Sequence, residues 1–232
     1  MLWDFEQQDY HRWLEAEGMR SFFPETVPTT TTYEVNWKGH DLIVGVGIHD
    51  SSAALLPYLL TNHEPFLLIS TGTWSITLNP FNQSPLTAEE LRQDCLNFLR
   101  MDGQPVKAAR LFLGREHELQ VEKIRQHFQQ EVGFHKAITF DAAMYAKVRQ
   151  PEEAFFQMQV LPQEGAPETT RLASFADAVE AYHRLMHELV QLQVQSLQLA
   201  KGDTEVQKIY VDGGCVDSSI FIKLLEMHLL DS

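Results

Sequence analysis

The sequence predicts an α/β fold, and three stretches carry that prediction. DLIVGVG at 41–47 is short, rich in aliphatic residues and closed by glycines, and the apolar helical run AALLPYLL follows it. FLLIS and WSITL form two β-rich arms about a turn containing Gly72. KIYVDGG at 208–214 is a strand entering a glycine pair, with the helical segment SSIFIKLLEMHLL behind it. A strand and helix, a hairpin, helices, then a strand and helix again build helices on a sheet, not a helical bundle.

Each element has its own signal. Trp3, Tyr10, Trp13 and Leu14 stand at helical spacing and predict a helix in the first 24 residues, which Pro24, Pro28 and the run Thr29 to Thr32 then break into an extended connector. The apolar run 41–47 reads as a buried strand, and His49, Asp50 and two serines mark its junction with a helix. Thr87 with Glu90 three positions on is a capping box, opening a helix over 87–101; a second helix covers 115–131. Residues 161–172, LPQEGAPETTRL, read as a loop. Ser174 is the expected cap of a long amphipathic helix reaching about Lys201. Its apolar side carries Val179, Tyr182, Leu185, Met186, Leu189 and Leu197, and Gly202 is its stop.

Composition narrows the function. With 44% hydrophobic residues in 232, the chain can bury one sizeable core or two modest ones. A formal charge of −14 repels phosphodiester backbones and leaves no basic stripe, which argues against a nucleic-acid partner. Backbone N–H groups and helix N-termini can still hold a nucleotide's phosphates locally. Cys95 and Cys215 lie far apart, without the spacing of a disulfide framework or zinc site. The acidic start MLWDFEQQDY and the lack of an 18-residue apolar run predict a soluble, cytoplasmic protein with no membrane partner.

Three motifs carry chemistry. In Gly47-Ile48-His49-Asp50-Ser51-Ser52-Ala53, a carboxylate at the positive end of a helix is oriented to accept a proton from a hydroxyl, or else is simply an N-cap. In Ser70-Thr71-Gly72-Thr73-Trp74, small hydroxylic residues about a glycine can cradle phosphate, or merely turn a hairpin. In Asp212-Gly213-Gly214, with Asp217 and Ser218 opening the next helix, two glycines let a flat base lie on the backbone, or serve only as a turn.

In combination and order these motifs resemble the FGGY carbohydrate kinases, most closely the rhamnulokinase-like and fuculokinase-like members. His49-Asp50-Ser51-Ser52-Ala53 is similar to the family's catalytic-aspartate segment, Ser70 to Trp74 to its second phosphate loop, and Asp212-Gly213-Gly214 to its adenosine strand. SFFPETV at 21–27 resembles the connector before the C-terminal lobe, and Arg110 to Glu116 the insert after the hairpin. The resemblance implies an actin-like ATPase (ribonuclease H-like) fold, with residues 1–40 a helix and connector from a preceding lobe. Residues 41–232 would be a C-terminal nucleotide-binding lobe, incomplete at its end.

It further implies ATP and Mg²⁺ as cofactors, and a small sugar as substrate, a ketose or deoxyketose such as rhamnulose or fuculose. Asp50 would be the catalytic base and His49 a sugar contact. Thr71, Gly72 and Thr73 would hold the ATP phosphates, and Gly213, Gly214, Asp217 and Ser218 the adenosine. No metal ligand is assigned in this chain, and a homodimer is allowed.

Two departures stand out. Ser218 occupies a position where the family usually has asparagine, and no DxGT-type hairpin is present, so an N-terminal lobe is the implied partner. A non-catalytic nucleotide- or sugar-binding remnant of the same fold is the alternative to a kinase. Other motifs carry less. His183 and His187 share a helix face without a third ligand, Gly45-Val46-Gly47 lacks the third glycine of a dinucleotide fingerprint, and no P-loop is present.

Overall fold

In the computed structural model, which describes residues 2–150 and 153–230, a five-stranded mixed sheet organises the chain. Two small hairpins precede it: β1 (Trp3–Asp4) with β2 (Asp9–Tyr10), and β3 (Thr32–Trp37) with β4 (His40–Gly45). The sheet contains β5 (Phe66–Thr71), β6 (Ser75–Asn79), β7 (Cys95–Leu99), β8 (Pro105–Leu111) and β9 (Lys208–Gly213), in the order β7-β8-β6-β5-β9. The pairings are antiparallel except for β5 and β9, which run parallel. A parallel neighbour needs a long crossover, and the helices between β6 and β9 belong to it.

Those helices are α3 (Ala88–Arg92), α4 (Leu113–His127), α5 (Ala142–Val148) and α6 (Ala178–Lys201); α1 (Trp13–Ala16) and α2 (Asp50–Thr61) come earlier, and α7 (Ser219–Leu230) last. Strand alternation decides which side of the sheet each helix covers. Leu67 and Ile69 of β5 join the large core with α4, α6 and α7, through Ile124, Leu185, Leu189, Ile220 and Phe221. Phe66 and Leu68 point the other way, to Leu55, Tyr58 and Leu59 of α2. Because both faces are covered, β5 reads as an unbroken apolar run.

α6 is the spine of the large core. Gln193 bonds both the Ser75 and Thr77 hydroxyls of β6, while Asn79 donates to the carbonyls of Ala200 and Lys201. Buried Glu188, held by Arg184 one turn back, accepts the amides of Phe155 and Phe156, so a polar network anchors the irregular stretch before α6. Among the described residues, no helix is long and apolar enough to cross a membrane.

Several expectations are corrected. The first 24 residues hold a hairpin and one short helix, because the Asp4 carboxylate takes the amides of Glu6 and Gln7 and Gln8 adopts positive φ, folding Trp3 back onto Tyr10 at 5.8 Å. The helix opened by Thr87 ends at Arg92. Asp94 then turns through positive φ, and pairing with β8 draws 95–99 into a strand. β4 is a strand but not a buried one: it and β3 form an isolated ribbon, exposed along its whole length. The long helix starts later than expected, with Asp177 as cap accepting the Glu180 amide, since Leu172–Ser174 is a separate 3-10 turn. Val179 lies outside its buried side.

Candidate functional site

The first site motif sits at the start of α2. His49 is extended (φ −64°, ψ 141°) and caps the helix, so Asp50 is the first helical residue and not the cap. The Asp50 carboxylate accepts its neighbour's Ser51 amide at 2.7 Å and lies 2.9 Å from His49 Nδ1. That nitrogen also lies 3.3 Å from the Ser51 amide. It cannot both donate and accept, and the shorter contacts make a self-consistent pair: Ser51 N–H and His49 Nδ1–H both donate to Asp50. The carboxylate is therefore aimed by two donors while its side chain stays 91% exposed.

The second motif is the end of the β5–β6 hairpin. Thr71 and Ser75 are the last cross-strand pair, and the Gly72 amide donates to the Trp74 carbonyl at 2.8 Å. A Cβ on Gly72 would meet nothing nearer than the Trp74 oxygen at 3.9 Å, so space remains above the turn. From below it is held firmly. A Cβ on Gly114, at the start of α4, would fall 2.1 Å from the Gly72 oxygen, and the Arg115 amide donates to the Thr73 carbonyl. Trp74 stacks on Phe112 at 4.5 Å.

The third motif joins the second directly, because β9 runs beside β5 with Gly213 opposite Thr71. Gly213 has φ +88°, and a Cβ there would lie 1.9 Å from the Thr71 oxygen, so glycine is required. The Thr71 hydroxyl donates to the Asp212 carbonyl at 2.7 Å and accepts the Cys215 amide at 2.9 Å. Gly214 and Asp217 lie in the 3-10 turn Gly214–Asp217, while the Ser218 hydroxyl accepts the Phe221 amide at the head of α7. Burial raises the Cys215 thiol, and burial with the nearby Asp212 carboxylate raises the Tyr58 phenol.

One cleft of about 550 Å³ collects His49 and Asp50 with Thr71, Gly72 and Thr73, between the α2 N-terminus and the hairpin. Gly213, Gly214, Asp217 and Ser218 do not line it, but they continue from its edge through the contact between Thr71 and Gly213. A wider groove of about 940 Å³, shared through His49 and Phe98, opens between the β7–β8 turn and the chain near Trp3 and Glu25. Gly114 and Arg110, which fix and line the cleft, fall within the stretch Arg110 to Glu116 that resembles the family's insert, but no site role was expected of either.

Space remains above Gly72 and beside Gly214, where backbone N–H groups can meet an anionic or flat ligand. The described residues bring together no group of three histidine, cysteine or carboxylate side chains able to hold a metal, so no step through Mg²⁺ is derived from them. His183 and His187 are engaged elsewhere: His183 Nε2 accepts the Asp141 amide, and His187 Nδ1 meets the Tyr145 hydroxyl.

The carbohydrate kinase FGGY C-terminal domain model matches residues 63–230. Solved structures with the same fold include a carbohydrate kinase from Novosphingobium aromaticivorans at 22% identity and TM-score 0.68. It covers 97% of this chain and 50% of its own. A xylulose kinase from Bifidobacterium adolescentis follows at 14% and 0.63, covering 97% of this chain and 48% of its own. A xyloylose kinase from Brucella ovis stands at 13% and 0.62, with 95% and 47% covered. No curated protein sequence matches it. The chain thus spans about half the length of these structures. With the family model covering most of the sequence, and a mixed sheet whose hairpin, α2 junction and glycine pair converge, this chain belongs to the FGGY carbohydrate kinase family and has the fold of its C-terminal domain.

Proposed function

We propose that this chain is the nucleotide-gripping half of an ATP-dependent kinase that moves the γ-phosphoryl group to a hydroxyl of a small sugar. The observation that carries the reading is the shared cleft, which Asp50 lines together with the turn at Gly72 and Thr73. Asp50, aimed by His49 and Ser51, is the base that accepts the sugar hydroxyl's proton as phosphoryl transfer proceeds. The Gly72 and Thr73 turn holds the β- and γ-phosphates with its backbone and the Thr73 hydroxyl. The Thr71 hydroxyl, engaged by Asp212 and Cys215, keeps that turn beside the adenosine backbone at Gly213 and Gly214. Asp217 and Ser218 border the base.

The acceptor is a ketose or deoxyketose such as rhamnulose or fuculose; the xylulose kinase among the structural neighbours supports a ketose. It sits in the wider groove with His49 at the reacting end, and a preceding lobe, for which residues 1–40 form the connector, completes the wall. Closing that wall would exclude water and fix both substrates, on which phosphoryl transfer depends.

The test is Asp50→Asn in the two-lobed enzyme, which keeps the side chain's shape and removes the base. We expect kcat to fall by roughly 10²–10⁴-fold with ATP affinity nearly unchanged. An unchanged kcat would return Asp50 to a helix-end role and leave a binding remnant as the better reading.

A further inference from the structure

We infer that Arg110 is a phosphate-binding residue of this cleft, its guanidinium taking the terminal phosphates of a polyphosphate ligand. The inference rests on the kinase reading for the ligand's identity, but its evidence is separate. β8 alternates: Val106 and Ala108 pack on the α2 side of the sheet, Leu111 on the α6 side, so Arg110 falls on the α2 side. Register then builds a row across the strand ends. Asp212 lies opposite Ser70, Ser70 opposite Ile76, and Ile76 opposite Arg110. Ser70, Ile76 and Arg110 of this row line the same cleft as Asp50 and Gly72.

No other lysine or arginine among the described residues lines that cleft. A ligand carrying three or four negative charges, entering a chain of net charge −14, is held more strongly where a local cation adds to the backbone donors. Arg110 is also held ready. Its Nη2 donates to Asp94 Oδ1 at 2.5 Å, and the guanidinium lies 5.3 Å over the Trp74 ring, which is itself stacked on Phe112. Nη1 makes no hydrogen bond among the described residues and is the donor left for a ligand, Nε being buried without an acceptor. A planar fork with an unmet donor, beside a turn with open space above its glycine, suits a phosphate oxygen better than a point charge would. Asp94 is then the resident anion that a phosphate must compete with.

The competition supplies a test that a purely structural ion pair would fail. Binding of tripolyphosphate to the 232-residue chain is followed by broadening of the ligand's ³¹P signals, with near-ultraviolet dichroism confirming that each variant is folded. Arg110→Gln should weaken binding by about tenfold or more, and Arg110→Lys should restore part of it. Asp94→Asn should tighten binding by a few-fold, because it releases the guanidinium from its resident carboxylate. A folded Arg110→Gln chain that binds like the parent, an Asp94→Asn chain that binds more weakly, or a parent chain that leaves the signals sharp would each overturn the assignment. Gly72→Val separates the two readings. If it abolishes binding while Arg110→Gln does not, the phosphate turn stands and Arg110 falls; the reverse leaves an arginine anion site and removes the turn.

Discussion

Three glycines around the cleft differ in what they do, and the difference can be measured. Gly213 is required by the fold: its φ of +88° and the Thr71 oxygen at 1.9 Å from a virtual Cβ leave no room for a side chain. Gly213→Ala should cost about 2–4 kcal/mol, combining left-handed strain with displacement of the β9 end, and denaturant unfolding would show it. Gly114 is similar, with the Gly72 oxygen at 2.1 Å. Gly72 is not constrained in this way, having neither left-handed φ nor a close neighbour. Gly72→Val should therefore unfold within about 1 kcal/mol of the parent while ATP binding weakens, since its β-branched side chain fills the space above the turn. Calorimetry that found ATP binding intact would tell against this turn as the phosphate loop. The same logic separates Thr71 from Thr73: both are small and hydroxylic in sequence, but only Thr71 has its hydroxyl committed to the fold.

At the scale of elements, α4 and α6 each carry a histidine whose burial should make the molecule sensitive to mild acid. His117 of α4 meets the Tyr182 hydroxyl at 3.1 Å, with His135 beside both, and burial holds its pKa at about 4. His187 of α6, against Tyr145 and near Arg184, Arg149 and His228, is likewise pushed down to about 4, again mainly by burial. Unfolded histidines take up a proton near pH 6.5, whereas these remain neutral in the fold until about pH 4. Stability present above pH 6.5 is thus lost progressively as pH falls toward 4, by up to about 1.4 kcal/mol per pH unit for each group. Carboxylates with lowered pKa, such as Glu90, contribute below that window. We expect the melting temperature to drop between pH 7 and pH 5, and the slope to be shallower in His117→Gln. Equal slopes in the two proteins would show that α4 packing is not the acid-sensitive element.

Across the whole molecule, apolar surface is distributed unevenly. The β3–β4 ribbon exposes Tyr33, Val35, Trp37, Leu42, Ile43 and Val44, with Ile43 76% exposed, and its outer edges pair with no other strand among the described residues. Exposed apolar strands with free edges are templates for association. The chain should self-associate at high concentration, and the double variant Val35→Glu with Ile43→Lys should reduce this without lowering the melting temperature. Sedimentation velocity would show whether the ribbon or another surface is responsible.

Local patterning along the chain specifies the class of fold, the hairpin at Gly72, the strand entering Gly213, the capping box at Thr87 and the long helix closed at Gly202. In these, local turn chemistry and periodicity agree with the final packing. The order of the motifs along the chain points to the family as well. The tertiary structure decided what depends on partners distant in sequence. Residues 95–99 became a strand only through pairing with β8, and the apolar run at 41–45 stays exposed because, among the described residues, only β3 pairs with it. Arg110 likewise reached the cleft only through the β6–β8 register, which local sequence does not encode. Local propensity acts over a few residues, whereas strand register and the company a side chain keeps are set by the closure of loops tens of residues long.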